Sequence, residues 1–136
     1  VLGVRVARVR FLLVGDDAAP EEEWLLSRAA RDPAVAEWLR ADVLKVGHHG
    51  SATSSGAAFV AAVRPRLAVI SVGAGNTYGH PNAGVLRRLR AAGARVVRTD
   101  ESGAVVVRTD GESVTVEEGG TRWTLPGRPA MTAVAP

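Results

Sequence analysis

Three histidines and one aspartate are the residues of this chain best suited to chemistry. His48 and His49 stand side by side in DVLKVGHHGSATSS, and His80 lies in a second glycine-containing stretch, AGNTYGHP. Asp16 directly follows the apolar run FLLVG. Imidazole and carboxylate are ligands that Zn²⁺ and Mn²⁺ accept, and a carboxylate can bridge two such ions. These residue types predict a divalent-metal site that uses Asp16, His48 and His49.

The two adjacent histidines are expected to have different roles. Neighbouring residues of an extended loop cannot easily direct both rings at one ion, so we expect one of them to bind the metal. The other would act on the substrate, support the ligand or hold the loop. Catalytic roles are assigned to His49 and to His80, which could protonate a leaving group or hold a phosphoryl oxygen. The alternative is that all three histidines are ordinary polar loop residues.

Hydroxyl and amide groups accompany the histidines in both loops. The residues expected to bind substrate are Ser51, Thr53, Ser54, Asn76 and Tyr78. The hydroxyls precede a predicted helix, whose free N–H groups would suit a phosphate. Helix capping by Ser54 or Ser55 would explain the same hydroxyls without a ligand. In the second loop, a turn built by Gly79 and Pro81 is the corresponding alternative.

The apolar pattern places these loops after three successive strands. VRVARVRFLLV, ADVLKV and RLAVISV are predicted strands that end near Val14, Val46 and Val72. Helices are predicted from Pro20, over residues 34–39, in GAAFVAAVR and from Pro81, followed by a fourth strand, ARVVRTD. This alternation predicts an α/β fold with parallel pairing. Because ligands bind at the carboxyl ends of such strands, the candidate residues should share one edge.

The pattern changes after Gly103. GAVVVRTDGESVTVEE contains two β-rich runs around Asp110-Gly111, which predicts a β-hairpin, and TRWTL is a candidate for one more strand. The last residues, GRPAMTAVAP, have no usable period and are predicted to form a loose tail. We therefore divide the chain into residues 1–117 and a segment, 118–136, with the possible extra strand and the tail.

Composition restricts the class of protein and the kind of site. The 136 residues fit one domain, and no apolar run approaches the roughly 20 residues that cross a bilayer, so we expect a soluble domain. Without cysteine, any metal must use His, Asp or Glu. The 17 basic residues are nearly all arginine and outnumber 14 acidic ones. They permit an anionic partner, for which Arg87, Arg88 and Arg90 are candidates, although coding bias or a solvated helix face would also explain them.

The order and spacing of four stretches resemble one known family. LLVGD, ADVLKVGHHGSATSS, ISVGAGNTYGHP and VVRTDESGAVVV are similar to the C-terminal half of the metallo-β-lactamase-like domain in ComEC-type DNA-internalization competence proteins. The resemblance implies that Asp16 is the aspartate of the GD motif and that His48 and His49 belong to the HHGS motif. His80 would be the histidine of the NxYGHP motif. Asp17 stands where the family usually has an apolar residue.

The resemblance implies an αβ/βα sandwich hydrolase, of which residues 1–117 would form the later part. It implies two divalent ions, Zn²⁺ or Mn²⁺, no small-molecule cofactor, and attachment to a cell-membrane channel that passes one DNA strand inward. The domain would degrade the other strand, so single-stranded DNA and the channel domain are the expected partners. The superfamily's HxHxDH-type metal motif, or its HxDxDH form, is absent from the sequence. We therefore expect a fragment or a degenerate half-domain that is inactive by itself.

Two other functions are compatible with the same residues. One is a freestanding hydrolase of this fold that acts on another phosphoester or a lactone. The other is a non-catalytic half-domain that binds DNA or a partner protein. Membrane spans encoded upstream would argue against the first alternative, and metal bound by a longer chain would argue against the second.

Overall fold

The computed structural model describes residues 1–128, which form two β-sheets and five α-helices. The first sheet consists of β1 (Leu2–Val6), β2 (Val9–Leu13), β3 (Val43–Lys45), β4 (Leu67–Ile70) and β5 (Arg95–Arg98). The second sheet consists of β6 (Val105–Thr109), β7 (Ser113–Glu118) and β8 (Thr121–Pro126). The helices are α1 (Ala19–Arg31), α2 (Pro33–Leu39), α3 (Ala57–Val63), α4 (Ala83–Ala91) and α5 (Thr99–Ser102).

Strands β2 to β5 are parallel and lie side by side in chain order. Helices α1 and α2 connect β2 to β3, α3 connects β3 to β4, and α4 connects β4 to β5. A parallel neighbour requires a crossover connection, which these helices provide. The predicted α/β organisation with parallel pairing is therefore confirmed.

The helices cover one face of the five-stranded sheet. Leu12, Leu44 and Ile70 project from neighbouring strands into a core that also contains Phe59 of α3 and Leu89 of α4. All five side chains are almost completely buried. Burial of large apolar side chains of this kind contributes about 1.5–3 kcal/mol each, so this layer is a main source of stability.

The three-stranded sheet covers the other face of the five-stranded sheet. The buried residues of this second core are Val9, Val43, Leu67, Val97, Val114 and Val116. The central strands are therefore buried on both faces, which explains why they read as apolar runs in the sequence rather than as alternating patterns.

The first predicted strand is instead an antiparallel hairpin. VRVARVRFLLV was interpreted as one strand, but β1 and β2 are separated by a turn at Ala7, whose φ is +47°. The two strands pair with Leu2 opposite Leu13. Turns with positive φ usually carry glycine or asparagine, and neither is present here. A long-range contact supports the turn, because the Arg8 N–H donates to the carbonyl of Gly111 at 3.0 Å.

The start of one helix differs from the prediction. Pro20 lies in the first turn of α1, as expected. Helix α4 was expected to begin at Pro81, but it begins at Ala83 and Asn82 is its N-cap. The Asn82 Oδ1 accepts a hydrogen bond from the Gly84 N–H at 2.8 Å. Asparagine is a preferred N-cap residue, and this signal determines the boundary.

The C-terminal segment forms the second, antiparallel sheet. Strands β6 and β7 are the hairpin predicted around Asp110-Gly111, and TRWTL lies in β8, which pairs with β7. Residues 129–136, which make up most of the predicted tail, lie outside the described residues. Within residues 1–128, no helix has the length and apolar character needed to cross a membrane.

Candidate metal and substrate site

The loops that follow β2, β3 and β4 meet at one edge of the sheet. The His48 N–H donates to the carbonyl of Gly15 at 3.1 Å, which joins the first loop to the second. The Asn82 N–H donates to the carbonyl of Gly50 at 2.8 Å, which joins the second loop to the third. The structure therefore brings together the loops that carry Asp16, the histidine pair and His80.

His48 and His49 lie in a strained turn. They belong to a 3₁₀ turn, Gly47–Gly50, and their φ/ψ values are 43°/45° and 54°/22°. A left-handed conformation costs a non-glycine residue about 1–2 kcal/mol. Gly50 leaves no room for a side chain, since a Cβ atom there would lie 2.7 Å from Cβ of Pro81. Backbone strain of this kind is concentrated at functional sites, and here it sets the directions of two imidazoles.

Hydrogen bonding prepares Nε2 of His49 to be a ligand. Its Nδ1 lies 2.7 Å from the carbonyl oxygen of Ser71, so Nδ1 carries the proton and donates. Nε2 then has a free lone pair, and it lies 3.8 Å from Oδ1 of Asp16. The side chains of His49 and Asp16 are 49% and 79% exposed, which leaves both accessible. A backbone carbonyl that fixes the tautomer in this way is typical of metal-binding histidines.

The His48 ring lies close to both other imidazoles. Its ring centroid is 6.5 Å from that of His49 and 5.9 Å from that of His80, with an edge-on arrangement in both pairs. Its Nδ1 atom is buried and has no hydrogen-bond partner among residues 1–128. Buried polar atoms are nearly always hydrogen-bonded in folded proteins, so an exception at this position points to a functional site.

Asn76 and Tyr78 differ in what they can still bind. The amide of Asn76 donates to the carbonyl of His80 at 2.7 Å and accepts from the His80 N–H at 3.1 Å. Asn76 therefore braces its own loop. The Tyr78 ring is 82% exposed and stacks on the His80 ring, with centroids 6.0 Å apart and an angle of 24° between the planes. Tyr78 is the one of the two whose side chain faces solvent.

The hydroxyls after the histidine pair are engaged in local hydrogen bonds. Oγ of Ser51 and Oγ1 of Thr53 lie 3.1 Å apart, and Ser54 Oγ donates to the carbonyl of Gly47 at 2.9 Å. The prediction that a serine caps α3 is wrong, because the N-cap residue is Gly56, which has no side chain to cap the helix. Ser54 instead ties the start of α3 back to the histidine turn.

A glutamate from another helix binds the N–H groups at the start of α3. Oε1 of Glu22 accepts from the Ser55 N–H at 2.5 Å, and Oε2 accepts from the Gly56 N–H at 2.8 Å. These two N–H groups, which precede α3, are therefore occupied by Glu22.

Several curated bacterial proteins are similar to this chain. The chain is 37% identical over 105 residues to ComE operon protein 3 of Bacillus subtilis (strain 168), which covers 77% of this chain and 13% of that protein. It is 41% identical to competence protein ComA of Neisseria gonorrhoeae, over 77% of this chain and 14% of the relative. It is 37% identical to recombination protein 2 of Haemophilus influenzae, over 69% of this chain and 11% of the relative. The chain belongs to the ComEC family.

This ComEC-family chain spans between 11% and 14% of the length of those three curated relatives. No family model matches it, and no solved structure matches it. The similarity therefore concerns one segment of relatives that are much longer than this chain.

Lys45 and Asp17 flank the histidine turn of the ComEC-family chain, and neither was predicted to be a site residue. Burial lowers the pKa of Lys45, the only lysine in the sequence, while the charge of Asp16 opposes that shift. Burial also raises the pKa of Asp17, whose Oδ2 atom has no hydrogen-bond partner in the described part of the chain. The sequence feature that could have identified Lys45 and Asp17 as site residues is their position at the ends of apolar runs.

Glu22 and Arg88 also lie beside the histidine turn, and neither was predicted to hold it. From the sequence, Arg88 is a candidate contact for an anionic partner, and no site role is predicted for Glu22. Both side chains instead bind the backbone next to the histidine turn. The helical spacing carried a signal for Glu22, because it lies three residues before the buried Leu25 and therefore on the same face of α1.

Proposed function

We propose that this chain forms the later part of a metallo-β-lactamase-like domain that hydrolyses single-stranded DNA during DNA uptake. Its similarity to proteins named for competence supports the role in uptake. The hydrolase assignment rests on one observation, the orientation of His49, whose Nδ1 is bound by Ser71 and whose Nε2 faces Asp16. A helix layer on one sheet face and a second sheet on the other is the arrangement expected for part of an αβ/βα sandwich. A membrane channel domain of the complete protein is its proposed partner.

Asp16 and His49 would hold a divalent ion, Zn²⁺ or Mn²⁺. Among the side chains of residues 1–128, no group of three or more His, Asp or Glu is arranged to bind a metal ion. Catalytic zinc sites use three protein ligands, so these two residues fit as part of a larger set completed from outside residues 1–128. When bound, such an ion polarises a phosphate and lowers the pKa of a coordinated water.

His80 and His48 would handle protons beside the reacting phosphate. The ring centroid of His48 is 6.5 Å from that of His49 and 5.9 Å from that of His80, which is short enough for one phosphate group to reach more than one imidazole. His80 would donate a proton to the leaving oxygen, and the unpaired Nδ1 of His48 would donate to a phosphate oxygen or bind a water. The positive charge of Lys45 would favour an anionic substrate at the same edge.

Tyr78 would bind the substrate through a base. An exposed aromatic ring supported from behind by His80 offers one free face for stacking. Stacking of a base on an aromatic side chain is worth about 1–3 kcal/mol and requires an unpaired base. This geometry favours a single strand over a duplex, while the predicted phosphate contacts of Ser51 and Thr53 would be independent of the base.

Metal binding by the chain tests the ligand assignment. Zn²⁺ or Mn²⁺ titration should show weak binding that falls by more than about 100-fold in the Asp16→Ala and His49→Ala variants. The Glu23→Ala variant, which removes an exposed carboxylate of α1, is the matched control and should bind like the wild type. Equal binding by all four proteins would remove Asp16 and His49 from the site.

DNA cleavage by the complete protein tests the reaction. Metal-dependent degradation of a labelled single-stranded oligonucleotide is expected, with loss of cleavage in Asp16→Ala and retention in Glu23→Ala. A metal-loaded wild type that leaves DNA intact but hydrolyses another phosphoester or a lactone would support a different hydrolase of the same fold.

The incomplete ligand set favours one second candidate, a non-catalytic half-domain that binds DNA or a partner. It predicts that the complete protein contains no stoichiometric metal by elemental analysis. It also predicts that single-stranded DNA binding is unchanged by Asp16→Ala.

A further inference from the structure

Glu22 is a buried carboxylate that acts on backbone rather than on a charged partner. It belongs to α1, is 3% exposed, and accepts the N–H groups of Ser55 and Gly56 at 2.5 and 2.8 Å. Burial raises its pKa, while these hydrogen bonds and the charge of Arg88 act in the opposite direction. Burying a charge is unfavourable unless its hydrogen bonds are complete, so Glu22 is a poor choice for stability alone.

Arg88 binds the neighbouring carbonyl groups from α4. Its Nε donates to the carbonyl of Ser55 at 2.9 Å, and its Nη2 donates to the carbonyl of Ser54 at 3.2 Å. Within residues 54–56, Glu22 takes two N–H groups, those of Ser55 and Gly56, and Arg88 takes two carbonyl groups, those of Ser54 and Ser55. Two helices that are separate in sequence therefore fix one short piece of backbone, residues 54–56.

That piece of backbone is connected directly to the histidine turn. The Ser54 hydroxyl donates to the carbonyl of Gly47 at 2.9 Å and to that of Ser51 at 3.1 Å. The Ser51 N–H donates in turn to the carbonyl of His48 at 2.9 Å. Gly47 is the first residue of the histidine turn and Ser51 directly follows its last, so movement of residue 54 would be transmitted to both ends of the turn.

We propose that Glu22 and Arg88 are positioning residues that hold residues 54–56 in place and so keep His48 and His49 in their left-handed conformation. The inference rests on the proposed function only where it treats His49 as a metal ligand. With the clamp formed, Nδ1 of His49 stays on the Ser71 carbonyl and Nε2 stays directed at Asp16. Without it, the strained turn relaxes towards ordinary backbone angles and the imidazole loses its fixed tautomer.

The test compares Glu22→Gln with a variant of similar stability loss. A glutamine at this position keeps one acceptor but places an NH₂ group against the second N–H, which breaks half of the clamp. Val60→Ala removes two methyl groups from a buried residue of α3 and leaves the clamp intact. Arg88→Lys is the second variant; it keeps the charge, replaces the two-bond contact, and alters a partly exposed residue, so it folds even if Glu22→Gln does not.

The readout is the imidazole ¹⁵N spectrum of His49, measured without metal or DNA. The wild type and Val60→Ala are expected to show one tautomer, with the proton on Nδ1. Glu22→Gln and Arg88→Lys are expected to show a mixture of both tautomers, and Zn²⁺ affinity should fall about 10–100-fold, the range for lost support of a ligand. A single Nδ1–H tautomer in both clamp variants, or an equal mixture in Val60→Ala, would overturn the proposal. If the wild type binds no metal, the hydrolase proposal fails while the tautomer comparison still decides the clamp.

Discussion

Buried polar groups at the two ends of the parallel strands differ in whether their hydrogen bonds are complete. At the amino ends, the buried side chain of Asp42 has hydrogen bonds on both carboxylate oxygens, to the Arg10 N–H at 3.0 Å and to Nε of Arg128 at 2.8 Å. At the carboxyl ends lie all the buried side-chain atoms that lack a partner within residues 1–128. They are Oδ2 of Asp17, Nδ1 of His48 and Oγ of Ser55.

Backbone conformation shows a weaker contrast. Of the five non-glycine residues with positive φ among residues 1–128, three lie in the loop after β3, at the carboxyl end, namely His48, His49 and Ser55. The other two, Ala7 and Arg64, precede β2 and β4 at the amino ends. The amino ends contain ordinary hydrogen bonds between neighbouring segments, such as those from the N–H groups of Arg66 and Leu67 to the carbonyl of Asp42. The unpaired buried atoms at the carboxyl ends, with a strained histidine pair beside them, indicate that this edge is maintained for binding or catalysis. The complete hydrogen bonds of Asp42 indicate that the amino edge serves stability.

The largest expected effect is at the stabilising edge. Asp42→Ala leaves the Arg10 N–H and the guanidinium of Arg128 without their acceptor, so unfolding in urea should show a loss of about 3 kcal/mol. Arg128→Ala should lose less, about 1 kcal/mol, because Arg128 is 38% exposed and water replaces part of its contact. Metal binding per folded molecule should not change in either variant. A loss below about 1 kcal/mol for Asp42→Ala would contradict the division between the two edges.

A smaller effect of opposite sign is expected at the functional edge. His48→Gly relieves a left-handed conformation and should raise the free energy of unfolding by about 0.5–1 kcal/mol, after the greater flexibility of glycine in the unfolded chain is taken into account. Ala58→Gly, at an exposed position in α3, is the matched control and should lower it by about 1 kcal/mol. Thermal unfolding of both variants checks the sign. If His48→Gly is destabilised as Ala58→Gly is, the turn is not strained.

The sequence predicted those features that depend on local patterns. Apolar runs ending in glycine located β3 and β4, and the helices between them required a parallel sheet. That topology alone placed the loops of Asp16, His48 and His80 at one edge. The Asp110-Gly111 turn was equally local, because a two-residue turn of this type has its own sequence signature.

Features that depend on distant contacts could not be predicted in the same way. Ala7 forms a turn although alanine does not favour one. The N–H of the next residue, Arg8, donates to the carbonyl of Gly111 and supports this turn. Glu22 is a residue type that is common in the first turn of a helix. The N–H groups that it binds, however, lie 33 and 34 residues away. Nothing in the local spacing identifies such partners. Local patterns therefore name candidate residues for the site but do not name the side chains that hold them.

The smallest expected effect concerns the end of β5 at the functional edge, where Arg98 pairs with two carboxylates. Asp100 follows β5, and the hydrogen bonds from the Arg98 guanidinium lower its pKa. An acid whose pKa is lowered by folding stabilises the protein above its unfolded pKa of about 3.9, and this contribution is lost as the pH falls through the lower folded value. Asp100→Asn should therefore lose about 0.5–1 kcal/mol of the free energy of unfolding at neutral pH, and that free energy should decline less steeply below about pH 4.

The control is Glu101→Gln, which alters a carboxylate that is 63% exposed and pairs with the same arginine. This variant should retain the wild-type slope. Urea unfolding between about pH 2 and 7 measures both slopes; identical slopes for wild type and Asp100→Asn would show that the pair adds nothing to the stability of this edge.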